Sequence, residues 1–252
     1  MVNVMRRYIL VILIFCLSVP ISQAQLWKMR RWETVVCVGP SFFFGDIGGF
    51  SPTKNILGIR DLTYLQTRFD INGNFKFRIT RSINARVGLT YALLRANDER
   101  GSNEDRAFNA TTSIFEPTVI GEYYFIKNMA ENSYLFVKGK GRFIFELIKS
   151  LDFYAFAGVG GVSYSVKGND ALIEHGMETG GFSAVIPAGL GATLIFSPNI
   201  NFGLEVGGRY AFTDYLDGYT SQFSKANDVY YLLNFTVTYK LKTGPKGLPS
   251  FR

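Results

Sequence analysis

Cysteine and histidine are nearly absent from this chain, which has two cysteines, Cys16 and Cys37, and one histidine, His175. Cys16 sits in an N-terminal leader, so the exported chain keeps Cys37 alone, and neither a disulfide framework nor a cysteine-rich metal site is open to it. A single histidine leaves little for nucleophilic or metal-assisted catalysis. Beyond the leader there is also no apolar run near the roughly 20 residues of a membrane-crossing helix. That excludes a helical membrane protein. Neither sign of charge dominates: the net charge is +7, and Arg6 and Arg7 of the leader supply two of those charges. Such a balance suits an anionic membrane surface, but without a basic stripe or a known module it indicates no nucleic-acid partner. Phosphate-cradling loops are missing too, because Gly158-Val159-Gly160-Gly161 has no helical pattern after it and reads as strand glycine.

The leader has the layout of a secretory signal. Arg6 and Arg7 form a basic start, Tyr8 to Val19 is apolar, and Ser22-Gln23-Ala24 offers small residues for cleavage after Ala24. Residues 1–24 are therefore expected to be removed, leaving residues 25–252 as one exported domain. Phe15 before Cys16 is too large for lipoprotein processing.

What the chain has instead is alternation. Side chains of a strand point to opposite faces in turn, and apolar residues recur at every second position along most of the exported chain. Phe69, Ile71, Gly73, Phe75, Phe77 and Ile79 oppose Arg68, Asp70, Asn72, Asn74, Lys76 and Arg78. After Thr80-Arg81-Ser82 comes a second such run, Ile83 to Leu93, which makes a tight hairpin. Phe182 to Phe196, Ile200 to Phe212 and Val229 to Leu241 repeat the pattern, with Ser197-Pro198-Asn199 as a second tight turn. Weaker, glycine-richer alternation covers Trp32 to Phe44, Ser113 to Phe125 and Leu151 to Val166.

Short turns alternate with long polar segments, Gly45 to Thr67, Ala96 to Thr112, Lys167 to Gly181 and Thr213 to Asp228. This is the asymmetry of an outer-membrane barrel, with short periplasmic turns and long outer loops. Large rings near strand ends, among them Trp32, Phe44, Phe125, Phe196 and Tyr239, suit aromatic girdles. The expected fold is all-β: a transmembrane antiparallel up-and-down β-barrel of eight strands in the cell outer membrane, in contact with lipid. The stretch Phe235-x-Val237-x-Tyr239-x-Leu241 is the expected insertion signal. A ten-stranded wall is the alternative, with residues 126–150 forming an extra hairpin around Gly139-Lys140-Gly141.

Eight strands enclose a space that side chains can fill. Glu33, Arg68, Asp70, Lys76, Arg78, Arg86, Glu116, Glu122, Glu205 and Arg209 face inward and are expected to pair as a polar plug. No catalytic residue, metal ligand or cofactor site is indicated. His175 has Ser163, Ser165, Ser183, Glu174 and Glu178 near it in sequence, but geometry and not spacing makes a triad. The long periplasmic connection, 126–150, mixes cations with aromatics, as interface centres do. Lys138, Lys140, Arg142, Phe143 and Phe145 are its candidate partner contacts, and the basic tail 242–252 is expected on the same side.

Five stretches also carry a family resemblance: Gly45-Asp46-Ile47-Gly48-Gly49, Thr112-Ser113-Ile114-Phe115-Glu116-Pro117, Tyr154 to Gly161, Thr213 to Ser221 and the ending Gly247-Leu248-Pro249-Ser250-Phe251-Arg252. In order and spacing the chain resembles the PorG-like outer-membrane barrels of the Bacteroidota type IX secretion system. The resemblance implies a non-enzymatic component of that protein-transport machinery. Its implied partners are the periplasmic ring lipoprotein and the lipoprotein's soluble partner.

Overall fold

The structure is a computed structural model that describes residues 30–47, 66–98, 106–128, 131, 133–134, 147–220, 227–244 and 247–250. The leader and the candidate contacts Lys138, Lys140, Arg142, Phe143 and Phe145 lie outside them.

Eight antiparallel strands run in sequence order around a closed wall: β1 Trp32–Phe44, β2 Arg68–Arg78, β3 Ile83–Asn97, β4 Asn109–Ile126, β5 Leu151–Gly168, β6 Gly180–Ile195, β7 Ile200–Ala211 and β8 Val229–Thr243. The wall closes where β1 pairs with β8 from Trp32↔Leu241 to Phe44↔Val229. A one-turn helix, α1 Asp170–Glu174, stands between β5 and β6. A two-residue strand, β9 Pro249–Ser250, folds back on Lys242 and Thr243.

The ten-stranded alternative is corrected. β4 pairs directly with β5 from Ala110↔Gly168 to Ile126↔Phe153, so no further strand stands between them in the wall. Several strand ends also extend past their expected limits, among them β3, which reaches Asn97, β4, which starts at Asn109, and β5, which runs to Gly168. The reason is an inversion of faces. In the membrane band the outward face is apolar, as at Val36, Leu89, Val119 and Val237, and the inward face is charged. Toward the loop end the order reverses. Ala110, Ile114, Val162, Tyr164 and Val166 are buried inside, while Thr111, Ser113, Ser163, Ser165 and Lys167 face out. A search for apolar residues on the outer face stops at that reversal, although the ladder continues.

The outward apolar band and the closed ladder, in which each of the eight wall strands pairs with a neighbour on both sides, satisfy the condition for crossing lipid. The chain is an outer-membrane β-barrel. Rings sit at the band's edges as expected: Phe44 meets Tyr231 edge-on at 5.3 Å, Phe196 meets Phe202 at 5.3 Å, and Trp32 stacks on Phe75 at 5.0 Å. Leu241 departs from its expected outward exposure. It is only 7% exposed, in register with Trp32 at the closing seam, whose indole N–H donates to Gly247 O of the returning tail at 2.8 Å.

Candidate functional site

The lumen is built around Arg86 of β3. Its Nη1 and Nη2 reach the two carboxylate oxygens of Glu205 on β7 at 2.7 and 2.9 Å, and Nη1 lies 3.2 Å from Glu122 on β4. This two-pronged geometry is the strong form of a guanidinium–carboxylate pair. Lys76 of β2, in register with Arg86, pairs with Glu122 at 2.9 Å. Tyr154 donates its hydroxyl to Glu205 at 2.9 Å, and the Phe156 ring lies 4.8 Å beneath the Arg86 guanidinium. Nearer the loops, Tyr230 donates to Glu116 at 2.5 Å while Arg209 donates to Gly207 O at 2.8 Å. A ladder of amides climbs β2, with Asn74 donating to Asn72 at 2.7 Å and Asn72 to Asp70 at 3.4 Å.

Of the ten inward charges expected to form a plug, only Arg68 stands apart from it. It lies partly exposed at the outer rim and donates to Thr67 O at 2.8 Å. The others are all buried. Burying so many charges is tolerable only because they pair and bond. Sequence reasoning missed the aromatic share of the filling, Tyr124, Tyr154 and Phe156. Their inward parity on β4 and β5 was the available signal.

At the periplasmic mouth Asn128, Glu131 and Ser133, which follow β4, are bonded to the barrel. Glu131 accepts from Arg78 Nη1 at 2.8 Å, and the other amino group of Arg78 holds Glu33 at 2.8 Å. Asn128 N–H donates to Asp152 at 2.6 Å, and Ser133 donates its hydroxyl to Phe196 O. The Lys127 ammonium sits 4.4 Å from the Tyr124 ring centre, and burial, followed by the nearby Arg78, pushes its pKa down to about 8. The cavity left here is about 10 Å³, lined by Glu33, Lys76, Arg78, Lys127 and Lys240 among others. That is about the least space that can hold a single water.

The outer mouth is closed differently, by an apolar core in which Phe43, Ile47, Leu94, Phe108, Leu172 and Leu216 pack together. Two buried carboxyls tie the loops over it. Asp217 accepts from Ile47 N–H and from Tyr219 N–H at 3.0 Å each, and Asp228 accepts from Leu216 N–H at 2.8 Å. Arg106, paired with Asp98 at 3.1 Å, donates to Asp46 O at 3.0 Å. Asn169 caps α1 by accepting from Leu172 N–H at 3.2 Å. His175 is exposed; its Nδ1 bonds Ala171 O at 2.9 Å and its ring meets Phe108 edge-on. Ser163 and Ser165 face outward on β5 whereas Ser183 faces inward on β6, so the fold does not gather these hydroxyls on one face.

Burial pushes Asp217 up to about 7 against the two N–H donors, and Asp46 adds to the rise. Asp228 moves the same way, by burial first and then by the charge of Asp217, with Asp214 and Asp46 adding to it. Both groups keep protons in the folded lock that an unfolded carboxyl, near 3.8, has released. The lock is therefore strongest below that value and weakens as pH rises toward 7. Limited proteolysis of the outer loops is expected to quicken several-fold between pH 5 and 8, and Asp217→Asn is expected to flatten the profile. An unchanged slope in that variant would assign the effect elsewhere.

No protein-family model matches this sequence, and no curated protein matches it significantly. Several solved structures resemble it in overall shape. Neisserial surface protein A is 13% identical, with 83% of this chain and 96% of that one aligned at a TM-score of 0.44. A major outer membrane protein from Thermus thermophilus is 11% identical over 83% and 99% of the two chains, with a TM-score of 0.43. OprG, an outer membrane protein from Pseudomonas aeruginosa, is 10% identical over 83% and 97%, with a TM-score of 0.41. The barrel assignment rests on this chain's own strand pairing and closure.

Proposed function

We propose that this barrel is a non-conducting anchor of the type IX secretion machinery, holding the periplasmic ring at the outer membrane through the 126–150 connection. The observation that carries the reading is the way this connection is tied across an occluded lumen, by Asn128 to Asp152, Glu131 to Arg78 and Ser133 to Phe196. A barrel filled with ion pairs has no path for solute. Lys138, Lys140, Arg142, Phe143 and Phe145 follow this fixed root in the sequence. The identity of the partner comes from the family resemblance of the sequence.

A stand-alone surface barrel is the second reading. It is favoured by the packed outer mouth, where α1 and the loops after β1, β3 and β7 meet in one apolar core. Gentle solubilisation of the tagged protein from its own host separates the two. Ring subunits should co-purify with the wild type and be lost when Phe143 and Phe145 become Ser and Lys140 and Arg142 become Glu. Retention of the ring by that variant would remove the docking role, and recovery of the barrel alone from intact rings would favour the second reading. Planar-bilayer recordings of the pure protein are expected to show no stable openings.

A further inference from the structure

The outer wall carries a feature that neither the plug nor the connection uses. On the outward face of β3, β4 and β5, Arg95 is in register with Thr111, and Thr111 with Lys167. Two residues toward the membrane the next row is Leu93, Ser113 and Ser165, and below it come Tyr91, Phe115 and Ser163. Cations, hydroxyls and aromatics thus succeed one another down the same three strands. From Arg95 to Tyr91 the strand covers about 13 Å, or roughly 10 Å along the membrane normal for a barrel strand tilted near 40°. That places the cations at headgroup depth above the belt formed by Tyr91, Phe115 and Phe182.

Among the described residues Arg95 and Lys167 make no ion pair, and the buried Arg95 Nε has no hydrogen-bond partner. This contrasts with the lumen, where Lys76, Arg78 and Arg86 are each paired with a carboxylate.

Directly beneath the aromatic row, the wall is hollowed into a trough of about 800 Å³ crossing β1 to β5, lined by Val36, Gly73, Leu89, Pro117, Val119 and Val159 among others. It is shallow, open to the surrounding lipid and apolar. Gly73 is not demanded by the fold, because a Cβ there would meet nothing within 4 Å. A strand glycine without a packing reason marks a place where something else approaches the wall closely.

We infer that this face binds one phosphorylated lipid of the outer leaflet, its phosphate between Arg95 and Lys167 and its acyl chains in the trough below. The charge order fixes the headgroup, since two free cations with hydroxyls beside them match a phosphate dianion. The trough fixes the rest, since at mid-membrane depth its occupant is a hydrocarbon chain. The site is built on the rigid wall and does not depend on the type IX reading.

Native mass spectrometry of the full-length barrel, titrated with bisphosphorylated lipid A, with its dephosphorylated form and with inorganic phosphate, tests this. One molecule of the phosphorylated lipid should be retained, at least tenfold more tightly than the dephosphorylated form. Arg95→Glu with Lys167→Glu should remove that preference. Gly73→Phe, filling the trough with both cations intact, should weaken retention on its own. Arg95→Gln with Lys167→Gln replaces the charge reversal if the latter fails to give a heat-modifiable, folded band. Equal retention of the dephosphorylated lipid, or retention unmoved by any variant, would overturn the inference. Full displacement by equimolar inorganic phosphate would do so as well, by making it a site for the free anion.

Discussion

Arg86→Met is expected to destabilise the barrel by about 3–5 kcal/mol, the range for removing one partner of a buried ion pair. The loss comes less from the missing contacts than from what remains. Glu205 and Glu122 would stay inside the lumen, Glu205 with the Tyr154 hydroxyl and the nearby charge of Arg209, and Glu122 with Lys76, Asn84 and Tyr124 as neighbours. Urea unfolding in lipid vesicles, followed by tryptophan emission, measures it. Adding Glu205→Gln to the same chain, with Glu122 still held by Lys76, is expected to restore most of the stability, since a neutral amide needs no counter-charge. If the double variant is as unstable as the single one, the arginine matters for its packing on Phe156 and not for its charge.

Gly39→Val is expected to prevent closure altogether. A Cβ at Gly39 would fall 1.8 Å from Leu233 O of β8, a backbone atom that cannot swing aside. The approach lies in the seam, where the β1–β8 ladder passes from Val38↔Phe235 to Ser41↔Leu232 without pairing Gly39 or Pro40. Gly73→Val is the control, because that position is open to lipid. On a gel run with and without boiling, the Gly73 variant should keep two mobilities and the Gly39 variant should show only the unfolded one. A folded band from Gly39→Val would mean that the seam can widen by the width of a side chain.

The membrane band of the fold was legible because lipid forces a plain pattern, apolar outward at every second residue. β1 begins and ends where alternation places it, and most of the inward charges do pair, whereas Asp70 is held by the Asn72 amide. What the sequence hid has a common cause. Above the membrane both faces meet protein or water, so the pattern inverts, and strand ends such as residues 109–112 read as loop. At Tyr230 and Leu232, whose neighbours Tyr231 and Leu233 are just as apolar, the face is set only by parity carried up from Phe235 and Val237, and that parity correctly turns Tyr231 and Leu233 outward. The carboxyl lock was beyond reach for another reason. Asp217 and Asp228 look like ordinary loop acids, and only the folded loops show that backbone N–H groups surround them.

The pairs that fill the lumen join distant parts of the chain: 119 residues separate Arg86 from Glu205, and 114 separate Glu116 from Tyr230. Contacts this non-local reward the chain only after most of its ordering entropy has been lost. No half of the barrel has a centre of its own, because each half would expose charges whose partners are in the other. The ion-pair column therefore acts as a test of completeness during assembly. It admits no stable partial wall, so a chain arrested before β8 is left as a target for proteolysis instead of becoming a leaky sheet in the membrane.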